Sequence, residues 1–286
     1  MLQLMTALAI SVAQPIPSAI YTDPMHDTAN PASVEVLHIP SGGVEINGLA
    51  YLAAGPGPHP TLVLLHGLPG NEKNLDLAQA VRRAGWNAIT FNYRGSWGSP
   101  GRFTFAGNLE DAPNVLAYLR RPEVSAKLRI DASRIAIAGH SMGGWVAART
   151  AERDQHLIGT ILICAANMGN MGRSHSEELA HMASDMETLA TTTPAQMTDE
   201  LERSKAAFDW TPGEKGLAKS PLLVLSADDG LAPSLDKLAA EVRAVPGARV
   251  TTVHVATDHS WNDQRIRLES EVIRWLQALP GASDNP

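Results

Sequence analysis

Short continuous apolar runs alternate along the chain with stretches whose apolar residues recur every three or four positions. Runs of the first kind mark strands buried on both faces, and the periodic stretches mark helices laid over them. Eight strands are predicted, at 34–39, 48–53, 61–65, 87–91, 134–138, 159–163, 221–226 and 249–255. The first two are separated by Ser41-Gly42-Gly43 and leave no room for a crossover helix, so an antiparallel pair is expected there. The others should run parallel, since helical stretches separate most of them. In the last helix, Leu268, Val272, Trp275, Leu276 and Leu279 form one apolar stripe before Pro280-Gly281 ends it. The expected fold is α/β: an eight-stranded, mostly parallel sheet covered by helices on both faces, in one domain spanning 34–279.

Two segments depart from that alternation. Residues 166–219 are longer than a crossover needs, with helical stretches expected at 177–190 and 194–210, and form a candidate helical lid insertion. Residues 1–33 read as an N-terminal arm: 14–33 hold four prolines without periodicity, and 1–13 are a short apolar run ending in Ser11-Val12-Ala13. Such a run suggests a signal peptide and export to the periplasm or medium. Against this, no Lys or Arg precedes Lys73, and the run is too short to span a bilayer; without export the protein would be cytoplasmic.

Composition narrows the partners. With 286 residues, 44% of them hydrophobic, the chain can bury a full core. A formal net charge of −7 carries no basic footprint for nucleic acid. The single cysteine, Cys164, lies in an apolar run and allows no intrachain disulfide; it reads as a buried, inert thiol. None of the ten histidines shows metal-ligand spacing, and no cofactor is expected.

The chemistry-bearing residues fall at ends of predicted strands. Gly139-His140-Ser141-Met142-Gly143-Gly144 stands between a strand and a helical stretch, the context of a nucleophile on a sharp strand-to-helix turn. A serine hydroxyl needs a base, and the base needs an orienting group. His259, in Asp258-His259-Ser260 between the last strand and the last helix, is the candidate base; Asp228 and Asp229 after the seventh strand are both candidates for the acid. An oxyanion needs two donors, for which the amides of Met142 and of Leu68 in His66-Gly67-Leu68-Pro69-Gly70 are placed. Met168 and Met171, in the candidate lid, suit an adaptable apolar acyl pocket, although packing against the core explains methionines there equally well.

These turns, together with Asn92-Tyr93-Arg94-Gly95, resemble the α/β-hydrolase superfamily over residues 34–279, within it the bacterial esterase and prolyl-peptidase-like branch that includes dienelactone-hydrolase-like proteins. The resemblance implies an eight-stranded sheet in which only the second strand is antiparallel. It also favours Asp229 as the acid, because the acid of that branch ends a G-x-x-D turn; this chain departs in carrying Ser226 where glycine is usual. Arg94 and Trp97 lie near where the family builds a pocket wall, though loop packing accounts for them equally. The expected activity is serine hydrolysis of a small-molecule carboxylic ester with small to medium acyl groups. The alternatives are a peptidase or amidase with the same triad and a ligand-binding protein that keeps the fold.

Overall fold

A computed structural model of the chain describes residues 14–171 and 186–279. One sheet is built from β1 (Ser33–Ser41), β2 (Val44–Leu52), β3 (His59–Leu65), β4 (Asn87–Phe91), β5 (Ile130–His140), β6 (Leu157–Ile163), β7 (Leu222–Ala227) and β8 (Val250–Val255), in the order β1-β2-β4-β3-β5-β6-β7-β8. β2 runs antiparallel to both of its neighbours, and every other pair is parallel. The expected α/β-hydrolase fold is therefore present, with each expected strand in place.

The strand sequences explain the layers. β3, β4 and β7 are buried at every position, as strands covered on both faces must be. Alternate residues divide between two cores. Ile135 and Ile137 of β5 join the side covered by α2 (Phe105–Leu119) and α4 (Met142–Ala151), whereas Ala136 and Ala138 join the side covered by α1 (Leu75–Arg83) and the last helix, Arg265–Gln277. Between α2 and α4 a short helix, α3 (Pro122–Lys127), leads into β5. In the last helix Leu268, Val272 and Leu276 are buried, and Trp275 lies where a Cβ at Gly159 would stand 2.5 Å from its ring. A glycine in β6 thus lets this helix approach the sheet.

Three expectations about element bounds change, the first being β2, which starts at Val44 rather than 48 because Val44 already pairs with Ser41. β5 starts at Ile130 rather than near 134, because Ile130 pairs with His59 ahead of a register shift. The polar Asp131-Ala132-Ser133 at that irregularity hides the strand start in the sequence. In the candidate lid, the helix expected over 194–210 is present as Pro194–Phe208, begun by Thr193 accepting from Gln196 N. Residues 177–185 of the other expected helix lie outside the described residues. Its end is not helical to residue 190: Met186–Thr188 form a 3₁₀ turn, and Leu189 bridges to Ser96. The loop after β4 captures that backbone, with Trp97 N donating to Thr188 O at 2.8 Å and Ala190 N to Gly95 O at 2.7 Å. The 1–13 run, with its possible signal peptide, also lies outside the described residues. Among the described residues no helix is long and apolar enough to cross a membrane.

A buried ion pair ties that loop to the sheet. Asp111 of α2 is wholly buried and accepts from Arg94 N at 2.9 Å, Arg94 Nε at 2.7 Å and Ser41 Oγ at 2.5 Å. Arg94 also donates to Glu110 and to Gly107 O, so its guanidinium is spent inside the fold. Removing one member of a buried pair leaves the other without compensation. Asp111→Asn is expected to lower stability by about 3 kcal/mol, read as a lower urea midpoint; an unchanged midpoint would show that the pair holds nothing.

Glu152 makes a second, pH-sensitive contact. It bonds Arg149 at 2.9 Å, yet burial pushes its carboxyl up to about 7 against the opposing pull of Arg149 and Arg153. A carboxyl held above its ordinary value favours folding while protonated, and this contribution is lost as pH rises through the folded value. The thermal midpoint should therefore fall between pH 5 and about 7, and the fall should be shallower in Glu152→Gln. An equal slope in both proteins would exclude Glu152 as its source.

Candidate active site

Leu68, Ser141, Asp229 and His259 lie in the connections that follow β3, β5, β7 and β8. Ser141, between β5 and α4, has φ 56° and ψ −123°, a backbone conformation that costs a non-glycine residue about 1–3 kcal/mol. The neighbouring backbone holds it there. Ser141 N donates to Ile163 O at 3.0 Å, and Ser141 O accepts from Ala166 N at 3.1 Å and from Gly144 N at 3.0 Å. The glycines make this packing possible. A Cβ at Gly143 would lie 2.2 Å from Leu65 O, one at Gly139 2.0 Å from Gly143 O, and one at Gly144 2.4 Å from Ala165 Cβ.

The turn after β3 packs against the serine. A Cβ on Gly67 would stand 2.9 Å from Ser141 Cβ and 3.5 Å from its Oγ. Leu68 is half-buried in this turn, and Met142 is buried at the first position of α4. No acceptor among the described residues meets either amide. His66 is buried, and desolvation lowers its pKa to about 4, so its ring is neutral at physiological pH.

The two aspartates left open in the sequence have different histidine partners. Asp229 Oδ2 lies 2.7 Å from His259 Nδ1, whereas Asp228 Oδ1 lies 3.0 Å from His254 Nε2. The Asp229 side chain is 4% exposed and that of His259 38% exposed. Burial raises the Asp229 pKa, but the bonds from His259 and Leu231 N outweigh it and hold the carboxyl below its ordinary range. Asp229 is therefore an ionised acceptor that fixes one imidazole nitrogen. The His259 carbonyl in turn accepts from His140 Nε2 at 2.9 Å, and the two rings lie 4.6 Å apart. This bond joins the loop after β8 to the residue next to Ser141. Sequence reasoning left His140 as a motif neighbour, and only its burial and its long-range partner reveal the contact.

The candidate pocket residues are placed differently from one another. Trp97 is half-buried with φ 49°, its Nε1 donating to Pro69 O at 2.7 Å and Lys73 Nζ 3.9 Å above its ring. It is thereby locked onto the turn after β3. Lys73, which sequence reasoning did not single out, has its pKa lowered to about 8 by burial and donates to Asn92 Oδ1 at 2.9 Å. Met168 is 2% exposed inside the core, and Met171 packs partly buried against the same cluster. Among the described residues one group of side chains could share a metal, Cys164, Asp229 and His259, whose ligand atoms lie within 4.8 Å of one another. Asp229 and His259 in that group are already bonded to each other.

The sheet, the strained serine turn and the paired His–Asp loops define a hydrolase framework, and the chain belongs to the alpha/beta hydrolase family, whose model matches residues 62–282. It is 29% identical over 136 residues to an uncharacterized protein of Mycobacterium tuberculosis strain H37Rv, covering 47% of this chain and 44% of the relative. The chain thus spans less than half the length of that relative. It superposes on a thermostable carboxylesterase cloned from a metagenomic library with a TM-score of 0.64 and 21% identity, over 90% of this chain and 92% of that one. An acylaminoacyl peptidase of Pyrococcus horikoshii gives a TM-score of 0.66 at 15% identity, over 89% of this chain and 43% of the peptidase. At these identities the two structures share the fold.

The close approach of the turns yields a direct test. Gly143→Ala places a methyl group against the Leu65 carbonyl, which is backbone and cannot rotate away. A loss of about 1–3 kcal/mol is expected for such overpacking, measured by thermal and urea unfolding. A midpoint equal to wild type would mean that β3 and α4 are not in contact.

Proposed function

We propose that the protein is a serine hydrolase of carboxylic esters with small to medium acyl groups, acting through Ser141, His259 and Asp229. The observation that carries this is the 2.7 Å Asp229–His259 bond on a loop whose His259 carbonyl accepts from His140, the residue before a serine held in a strained strand-to-helix turn. Ser141 Oγ attacks the acyl carbon while the free nitrogen of His259, Nε2, takes its proton. The imidazolium that forms is stabilised by ionised Asp229 across Nδ1. Oxyanion charge builds up next to the amides of Leu68 and Met142, which need no reorganisation to receive it. His259 returns the proton to the leaving alcohol, and water then repeats the sequence on the acyl-enzyme. Residues 166–219 form the lid in this proposal, with Trp97 and Met171 shaping the acyl side of the pocket, whereas Met168 packs in the core. The substrate is a small molecule, and the steps use only these side chains.

A panel of nitrophenyl esters of increasing chain length, run beside aminoacyl-proline nitroanilides, tests the proposal. Ester turnover is expected to fall by at least about a thousandfold in Ser141→Ala and in Asp229→Asn, and to stay near wild type in Asp228→Asn. Turnover of anilides without esters would replace the esterase with a peptidase. Loss of turnover only in Asp228→Asn would move the acid by one position. No turnover of either substrate, with no fluorophosphonate labelling of Ser141, would favour a ligand-binding protein.

A further inference from the structure

Asp229 has a contact that the proposed reaction does not use. Cys164, 1% exposed at the end of β6, places Sγ within 4.8 Å of ligand atoms of both Asp229 and His259. On its other side Trp261 Nε1, fully buried two residues after His259, lies 3.2 Å from the same sulfur. The directions of these bonds follow from the groups. An indole N–H can only donate and an ionised carboxylate can only accept. The sulfur therefore accepts from Trp261, which leaves its single proton to give, and the ionised Asp229 carboxylate is the acceptor that shares its cluster.

The backbone is bent at both ends of this relay. Cys164 has φ 45° and Trp261 φ 57°, left-handed conformations that are uncommon for residues with side chains. Cys164 N is fixed by Leu225 O at 2.8 Å, and Trp261 N by Asp258 O at 3.0 Å. Strain of this kind persists where the surroundings over-determine it, and it gathers at functional sites. Burial pushes the thiol up to about 12, so it stays protonated and able to donate.

We propose that Cys164 is a positioning residue: its thiol, oriented by Trp261, holds the Asp229 carboxylate against His259 Nδ1. This rests on the assignment of Asp229 and His259 made above. The sulfur is neither nucleophile nor redox centre here; it is a third support for the acid beside His259 and the Leu231 amide.

The test compares Cys164→Ala, which removes the donor, with Cys164→Ser, which restores one. In the ester assay kcat should fall about three- to tenfold in Cys164→Ala, the worth of one modest hydrogen bond, with KM unchanged. Cys164→Ser should recover most of that loss, at similar thermal midpoints. A second readout needs no turnover: the low-field proton resonance of His259 Nδ1–H, assigned by its loss in His259→Gln, should shift in Cys164→Ala and return in Cys164→Ser. Wild-type kcat and an unmoved resonance in Cys164→Ala would overturn the proposal. So would equal losses in both variants with the resonance unmoved, because packing alone would then account for Cys164. If the wild type neither turns over esters nor takes a fluorophosphonate label, the hydrolase assignment fails, and the resonance alone decides whether the thiol supports Asp229.

Discussion

The fold converges on one constraint: three chain segments approach each other at Ser141 more closely than side chains allow. The ends of β3 and β5 and the start of α4 meet with backbone atoms of Leu65, His66 and Gly143 where a Cβ would otherwise stand. Close packing of this kind forces Ser141 into a left-handed φ, and the strain of about 1–3 kcal/mol is borne by the surrounding parallel sheet. The sheet can bear it because β5 pairs on both sides, with β3 and β6, and β3 is buried throughout. Stability of the centre and exposure of the serine are thus two results of the same contact.

The other chemistry-bearing turns depend on that centre in different degrees. The turn after β3 is held directly, since Gly67 lies against Ser141 and Trp97 bonds Pro69 O from the other side. The loops after β7 and β8 are held through side chains: Asp229 to His259, and His140 to the His259 carbonyl. Arg94 and Asp111 act further away, fixing the loop that carries Trp97 to α2 and to the end of β1. An ion pair that looks from its sequence position like part of a pocket wall is therefore part of the frame behind it.

What could be seen in the sequence follows from how locally each feature is encoded. Buried parallel strands are continuous apolar runs, so β3, β4 and β7 are visible without any knowledge of their partners. Ser141 and His259 are visible because glycine and turn chemistry surround them. Asp111, His140 and Cys164 are not, since each acts through a hydrogen bond to a residue distant in the chain, and nothing near them in sequence marks it. Cys164 reads as an inert buried thiol until its bond from Trp261 and its cluster with Asp229 and His259 are seen. Asp228 and Asp229 are the intermediate case: the turn leaves two candidates, the resemblance favours Asp229, and the different histidine partners of the two side chains appear only in the structure.

Those different partners create an instructive contrast. Asp228 leads into a second serine–histidine–aspartate chain, with His254 Nε2 at 3.0 Å from its carboxylate and His254 Nδ1 at 3.0 Å from Ser226 Oγ. Residue types and hydrogen bonds match those of a triad, so residue types and an aspartate–histidine bond alone do not distinguish the two sets. The backbone does. Ser226 lies inside β7, 3% exposed and in regular register opposite His254, so no sharp turn presents its hydroxyl and no helix start places an amide beside it. Its histidine and aspartate are about half exposed or more, and water competes there for the charges that burial strengthens at Asp229. Ser226, His254 and Asp228 thus clip the end of β7 to β8, next to but separate from the Asp229–His259 bond.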